Sequence, residues 1–581
     1  MNPYPNLGRF SRGYVAPLWR WYLAGGLAVL LTNWMAVRIP HELGVGLDAL
    51  RAGTVGVSAS ALHIGILGFL IIGVRSASRI WFFTPARNAE FNLREDLFAR
   101  CLRLQPEFYA RYSTGDLMSR TTSDVTFARA FAGFALLQAV NVVAALAMAL
   151  GQMLAISPGL TAAVAVPVLV GFAVVQGSAG RLMTLQRETQ RRLGAFSDSV
   201  LGAIQGVSTI QGYCVEGPFV ARLDAEAAAL RTLNLRLALL RVIVFPLLSV
   251  AGGIAIFLLL WIGGQQALSG KLSAGSLAAF VALVGYLIMP LRLLGWLVPV
   301  FQRAEASLER LYVVLDAPVD RPEVGHSAPF PTPGLGPSIR FTGLSFAYPD
   351  APERPILRGI DAEIPAGATV GIFGRTGSGK TTLLRVLARL RNPPAGTVWI
   401  GGTDITSLDL DEYRRHLVVV PQVAFLFSET IRENVGLGVG AVRVDEAVGA
   451  ASLTPDLAAL PEGMNTVVGE RGIVLSGGQR QRVALARGLA RDGEIVLLDD
   501  VLSAVDHTTE QELIRTLRAR FGRGATTFLV SHRMSALEHC DRILVLDEGR
   551  VTDVGTHAEL LQRPGVYQEA WRAQTGSGVA A

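Results

Sequence analysis

At 581 residues, with a hydrophobic share of 50%, only 17% charged residues and a mean hydropathy of +0.39, the chain is too apolar for a purely soluble protein. It is long enough for about two to four domains. A net charge of +6 would suit nucleic acid only if it were interleaved with aromatics on one soluble face, and no such face is legible.

The apolar residues are segregated toward the N-terminal half. Stretches at 21–37 and 54–74 each suffice to cross a membrane, and residues 130–180 contain no Asp, Glu, Lys or Arg. That run exceeds the roughly 20 residues of one span, so it is predicted to hold two, turning at Ser157-Pro158-Gly159. Stretches 242–268 and 272–291 complete six spans. The intervening segments 38–53, 157–161 and 269–271 are short, whereas 75–129 and 181–241 are long and rich in arginine. The positive-inside rule places those two, and with them both termini, in the cytoplasm. Five further spans follow the first and no cleavage-type site is evident, which argues against a signal peptide. Cys101, Cys214 and Cys540 match no metal spacing and are expected to be free thiols facing a reducing cytosol.

Each long segment reads as two helical extensions of about 25 residues, roughly 37 Å, meeting at a turn. The turns are expected near 114–120 and 212–218. Such hairpins are either solvated arms or, as favoured here, arms that dock on the soluble domain and transmit motion. Residues 316–337 contain six prolines and three glycines and read as a linker. Beyond it, β-branched runs alternate with helical segments.

Val370-Gly371-Ile372-Phe373 reads as a strand, and Leu383, Val386, Leu387 and Leu390 as the apolar face of a helix. Between them stands Gly374-Arg375-Thr376-Gly377-Ser378-Gly379-Lys380-Thr381-Thr382, the G-x-x-x-x-G-K-[ST] pattern of a phosphate-binding loop. The only other lysine in the chain is Lys271, so an ammonium has been kept here where arginine serves almost everywhere else. A compact point charge fits between phosphate oxygens, whereas a guanidinium fork suits bidentate partners. The loop is therefore expected to bind a nucleoside triphosphate, with Thr381 available to Mg²⁺. Further on, Leu475-Ser476-Gly477-Gly478-Gln479 opens a helix and forms a second anion-binding surface. Ile495-Val496-Leu497-Leu498-Asp499-Asp500 reads as a buried strand whose tip can carry Asp499 toward Mg²⁺. Two phosphate surfaces so far apart in sequence suggest a nucleotide sandwiched between two such domains.

With these motifs the chain resembles an ABC transporter of the exporter type: a half-transporter with six spans and one nucleotide-binding domain. The resemblance covers nearly the whole sequence. It implies a multi-domain fold, with an all-α six-helix transmembrane domain over 1–315 and a Pro-rich linker over 316–337. An α/β P-loop ATPase domain over 338–575 and a disordered tail over 576–581 would follow. It further implies that Tyr348 stacks on adenine and that Gln422 reaches Mg²⁺ and the γ-phosphate. His532 would hold the γ-phosphate. Gly469-Glu470-Arg471-Gly472 resembles the exporter loop that contacts the membrane helices, and Ser503-Ala504-Val505-Asp506 the D-loop. ATP and Mg²⁺ are the expected cofactors.

Asp500 departs from the family pattern, which places glutamate after the Walker-B aspartate to position or deprotonate the attacking water. Aspartate keeps the acid chemistry but is one methylene shorter. A retreat of about 1 Å from an in-line water costs on the order of 10²-fold in rate. With Ser476–Gln479 and His532 intact, the chain resembles the degenerate-site half of a heterodimeric multidrug exporter. Lys380, Asp500 and His532 would build a slow site, and Ser476 and Gly478, within the nucleotide-binding segment Ser476-Gly477-Gly478-Gln479, would complete an active one on the partner. A homodimeric lipid or lipid-linked-substrate flippase, and an ATP-binding regulatory subunit with little hydrolysis, stand as alternatives. The implied location is the bacterial inner membrane, with the nucleotide-binding domain cytoplasmic. The span interiors are mostly Ala, Val, Leu and Gly, with Asn33, His63, Gln138, Asn141, Gln152 and Gln176 as scattered polar groups. Such a lining suits amphipathic drugs, lipids or hydrophobic peptides. His63 is the one ionisable residue well inside a span, open to a functional or a packing role. Trp296 and Arg292 are candidates for a cavity entrance.

Overall fold

The computed structural model describes residues 4–54, 56–319, 328–331, 336–469, 475–503, 507–521 and 524–576. The chain divides into two compact units: one is residues 1–102 with 114–317, the other residues 103–113 with 318–581.

The first unit is all-helical. Its long helices are α1 (Trp19–Arg51), α2 (Gly56–Cys101), α3 (Thr114–Ile156), α4 (Pro158–Gln205), α5 (Glu216–Leu268) and α6 (Ala274–Leu315). Among the described residues, six helices are long and apolar enough to cross a membrane. Most run far beyond the roughly 30 Å hydrocarbon layer, because the polar extensions continue the same helices without a break. α3 contains two wider π-turns, Arg120–Asp124 and Phe131–Ala135, where successive hydrogen bonds skip an extra residue. Ser157 caps α4 by accepting from the Leu160 N–H, with Pro158 at the first helical position.

The arms turn where backbone chemistry dictates. The first turn lies earlier than the expected 114–120. Gln105 is extended before Pro106, which disfavours helical geometry in its predecessor, and a separate helix Pro106–Arg111 follows. Residues 114–119 are already helical. The second turn falls at 213–215, with Cys214 at φ 53°.

Inside the first unit, Val37, Met153, Leu160, Leu259, Phe280 and Leu283 form one buried cluster from α1, α3, α4, α5 and α6. A polar clasp sits within the apolar packing. Asn33 donates to Asn141 Oδ1 at 3.0 Å and to its own helix at Val29 O, and the Tyr286 hydroxyl donates to Asn33 Oδ1. Asn33 and Asn141, read from sequence as polar groups of the span interior, are thus hydrogen-bonded to each other. His63 is exposed, with Nδ1 3.4 Å from Glu42 Oε2, so it is not a buried packing residue. Trp296 packs edge-on against Phe134; the Arg292 side chain lies outside the description. At the opposite end of α1, Asp48 Oδ1 accepts from Gly275 N at 2.8 Å. Gly275 passes so close to Gly44 that any Cβ would strike its carbonyl. The helix Pro5–Phe10 is bound to the end of α6: Glu305 accepts from the N–H groups of Asn6 and Leu7, and Arg9 forms a forked pair with Asp316 at 2.6 Å.

The second unit contains two sheets. β1 (Ile339–Phe346), β2 (Leu357–Ile364), β4 (Val398–Ile400) and β5 (Thr403–Asp404) form an antiparallel sheet in the order β2-β1-β4-β5. β3 (Thr369–Gly374), β6 (Leu417–Val420), β7 (Ile495–Asp499), β8 (Thr526–Val530), β9 (Arg542–Asp547) and β10 (Arg550–Gly555) form the other, in the order β10-β9-β3-β8-β7-β6. All its pairings are parallel except that of β10 with β9. Every residue of β7 and β8 is buried, as the uninterrupted apolar runs require of strands covered on both faces. Part of the expected linker packs into this unit: Phe330 is buried and stacks on His416 at 4.2 Å, and Ala328 N donates to Ser407 O. The last helix runs to Gly576, the first residue of the expected tail; 577–581 lie outside the described residues.

Candidate active site

The C-terminal ends of four parallel strands open into one cleft, where ligands of open α/β sheets bind. β3 delivers the phosphate-binding loop, β6 leads to Gln422, β7 ends at Asp499 and β8 leads to His532. An open cleft of roughly 730 Å³ is lined by Tyr348, Thr376, Gly377, Gly379, Lys380, Thr381, Thr382, Gln422, Asp499, Asp500 and His532, together with Ile356.

The loop is pre-shaped. Gly379 has φ 102°, and a side chain there would strike Leu357 and Ile356. The chain then enters helix α7 (Lys380–Leu387), whose N-terminus supplies free N–H groups and positive potential. Lys380 is 7% exposed, and its Nζ donates to Gly374 O at 2.7 Å and Arg375 O at 2.9 Å. Burial pulls its pKa below the ordinary lysine value, against the pull of Asp499 and Asp500. Ser378 Oγ is buried without a protein partner among the described residues, inside a loop built for phosphate oxygens. Thr381 Oγ1 donates to Asp499 Oδ1 at 3.3 Å. Burial raises the Asp499 pKa, with the Thr381 hydrogen bond opposing that shift. The Tyr348 hydroxyl lies 3.2 Å from Thr382 Oγ1, and the Arg391 guanidinium sits 5.2 Å from the Tyr348 ring centre.

Asp500 is held on both sides of its peptide units. Its N–H donates to Val530 O at 3.0 Å, and its carbonyl accepts from Gln481 Nε2 at 2.8 Å. Its backbone is left-handed, at φ 51°. One carboxylate oxygen is 3.5 Å from Gln422 Nε2; the other is buried with no protein partner among the described residues.

Ser476–Gln479 do not line this cleft. Ser476 caps helix α8 (Gly477–Leu489) in a reciprocal box: Ser476 Oγ accepts from Gln479 N, and Gln479 Oε1 accepts from Ser476 N. Glu470, Arg471 and Gly472 of the exporter-type loop, and Ala504, Val505 and Asp506 of the D-loop segment, lie outside the described residues. Sequence reasoning missed three supports. Gln481, two residues past the Gly-Gly-Gln turn, anchors Asp500 from the buried face of α8. Gln574, near the chain end, brackets the His532 turn: its amide donates to His532 O at 2.9 Å and accepts from Met534 N at 3.2 Å. Buried Glu510 pairs with Arg533, next to His532. A polar residue on the apolar side of α8 was the available signal for Gln481; nothing in the sequence marks Gln574.

A P-loop, a strand-tip aspartate and a Ser-Gly-Gly-Gln helix start, in a chain with six apolar helices, define a membrane-embedded nucleotide-binding protein. Residues 10–291 match the family described as ABC transporter transmembrane region, and residues 357–503 the family described as ABC transporter. The chain is 34% identical over 575 residues to the probable multidrug resistance ABC transporter ATP-binding/permease protein YheI of Bacillus subtilis, covering 98% of this chain and 97% of that one. It is 32% identical to an ATP-dependent lipid A-core flippase of Bordetella pertussis, with 98% and 90% covered. A solved bacterial Atm1-family ABC exporter with ATP bound superposes with a TM-score of 0.80 at 27% identity, over 96% of this chain and 99% of that one. The chain belongs to the ABC transporter family: it is a multi-pass, exporter-type half-transporter with one ATP-binding domain.

Proposed function

We propose that this chain is one half of a heterodimeric ATP-driven exporter and that its own P-loop site hydrolyses slowly. The reading rests on Asp500. Its main chain is fastened to β8 and α8, so the backbone cannot slide outward to recover the reach that a glutamate would have. Lys380 and the loop N–H groups would bind the phosphates, Tyr348 would stack on adenine, and His532 and Gln422 would face the γ-phosphate. Thr381 and Asp499 offer adjacent hard oxygens suited to Mg²⁺, with Gln422 as a further ligand. When bound, the ion would offset charge on the transferring phosphoryl group. Ser476–Gln479, turned away from this cleft, would close over nucleotide held by a partner's P-loop. The expected extents are 1–315 for the membrane domain, 316–337 for the linker and 338–575 for the ATPase domain.

The arginine-rich arms support a reading in which both termini and the ATPase domain face the cytoplasm at a bacterial inner membrane. Relatives described as multidrug and lipid A-core transporters support amphipathic or hydrophobic cargo, with membrane lipid as neighbour. The flippase relatives also favour a second reading, a homodimeric lipid flippase. Purified chain, assayed for ATPase alone and mixed with a half-transporter bearing glutamate after its Walker-B aspartate, separates the two. Strong activity only in the mixture supports the heterodimer; brisk, lipid-responsive turnover by the chain alone overturns it.

A further inference from the structure

The parallel sheet face under helix α9 (His507–Phe521) holds a recess of roughly 410 Å³, its open mouth included, that nucleotide binding does not use. Thr527 and Leu529, two apart on β8, share its floor with Leu498, which pairs with Leu529 across the ladder. Ile514, Leu517, Arg518 and Phe521 come down from α9 at helical spacing. Ala536, His539 and Cys540 close the remaining side, from the short helix Met534–Leu537 and the turn after it. The apolar walls are buried, whereas Arg518 and His539 are exposed and mark the mouth. That mouth lies where the parallel strands begin: α9 ends just before β8 starts, and Asp541, next to Cys540, accepts from the N–H of Thr369, the first residue of β3. The nucleotide cleft, and any partner closing over it, stands at the opposite ends of these strands. The recess is therefore built within one ATPase unit.

Two polar groups in this apolar lining lack a protein partner among the described residues. Thr527 is 5% exposed, and its Oγ1 makes no hydrogen bond. A buried hydroxyl left unsatisfied is a standing cost that an acceptor on a ligand would relieve. Arg518 forms no ion pair, because the acids near the mouth are committed elsewhere. Glu538 lies 3.4 Å from His539, and Asp541 Oδ2 holds the Thr369 N–H at 2.8 Å. The Arg518 guanidinium nevertheless leans over the recess. Burial and Asp541 raise the Cys540 thiol, and Arg518 is close enough to pull the other way. Two free donors above hydrocarbon walls match a carboxylate on a small apolar body. An apolar cavity of about 150 Å³ already admits benzene, so the recess has room for an aromatic ring.

We propose that this recess is a binding site for a small carboxylate with an aromatic or branched hydrocarbon body. The carboxylate accepts from Arg518 and from the Thr527 hydroxyl, and the body lies against Leu498, Ile514, Leu517 and Leu529. Leu498 directly precedes Asp499 and β8 leads to His532, so an occupant braces the two strands that carry these side chains into the cleft. The proposal does not depend on heterodimer formation or on the rate at Asp500.

Fluorine NMR titration of the detergent-purified full-length chain with para-fluorobenzoate, and with para-fluorobenzamide as its uncharged counterpart, tests it. The acid is expected to bind saturably and on the order of tenfold more tightly than the amide, the worth of one charge-assisted hydrogen bond. Arg518→Gln should remove that advantage and leave the amide unchanged. Arg515→Gln, on the same helix but outside the recess, should alter neither. Thr527→Val deletes the orphan hydroxyl, so it should weaken the acid while holding or raising the melting temperature, a combination that a merely structural hydroxyl would not give. Acid and amide binding alike would overturn the proposal, as would equal losses from the two arginine variants. A Thr527→Val protein that binds the acid as tightly as wild type also overturns it. Acid that never saturates does the same, and leaves the recess to solvent.

Discussion

Lengthening the side chain at position 500 by one methylene, Asp500→Glu, isolates the step at which this site is expected to fail. The Asp500 backbone is fixed by hydrogen bonds of 3.0 Å to Val530 and 2.8 Å from Gln481, so the added carbon moves the carboxylate outward by about 1 Å rather than displacing the strand. The acceptor chemistry is unchanged. Recovering that distance to an in-line water is worth on the order of 10²-fold in rate, or about 2.7 kcal/mol of barrier. The left-handed backbone at φ 51° suits aspartate better than glutamate, so a cost of about 1 kcal/mol in stability is expected alongside the gain. The chain should be assayed alone in lipid nanodiscs, because two copies facing each other would both carry intact Ser476–Gln479 segments and both sites would report the change. ATP binding, followed by a fluorescent analogue, should stay within about threefold, since Lys380, Thr381 and Tyr348 are untouched. A variant that turns over no faster than wild type, with binding and melting temperature preserved, would refute the geometric argument. So would a wild-type chain that alone reaches the tens per second of a competent ATPase.

Ser476→Ala removes the cap of α8 and should cost about 1 kcal/mol of stability; in a complex with a glutamate-bearing partner it should abolish most ATPase, whereas a regulatory subunit would show no change. Because burial lowers the Lys380 pKa, the unliganded loop sheds its proton below the usual lysine range, so nucleotide affinity should begin to fall as pH rises through that lowered value. Fluorescence titration from pH 7 to about 10 reads this, and affinity flat across the range would contradict it. Burial also raises the Cys540 thiol to about 12 from an ordinary 9. A raised acid stays neutral in the fold, so its stabilising contribution is complete below about pH 9 and is lost as pH climbs toward 12. Maleimide at pH 8 should accordingly label exposed Cys214 in the native chain and reach Cys540 only after denaturation, as peptide mapping would show.

Much of this architecture could be read from residue pattern because the strongest signals are local. An uncharged run of 51 residues and a nine-residue phosphate loop each depend on their own neighbours, and the spans and the P-loop follow from them. The first arm's turn was misplaced because Thr114-Gly115-Asp116 carries ordinary turn residues, while Pro106 governs the backbone ten residues earlier. Phe330 looked like part of a proline-rich linker because burial against His416 is a tertiary fact that local composition does not encode. The same holds for Gln481 and Gln574, whose importance comes from contacts with Asp500 and with the His532 turn across 19 and 42 residues of sequence.

The helix Pro5–Phe10 carries a quieter consequence. Glu305 in α6 and Asp316 just past its end grip Asn6, Leu7 and Arg9 of this helix, so the beginning and the end of the membrane unit are stapled together. A bundle closed in this way cannot let its sixth helix swing without dragging its leading segment along. A spectroscopic probe attached near residue 4 would therefore report on movement more than three hundred positions downstream.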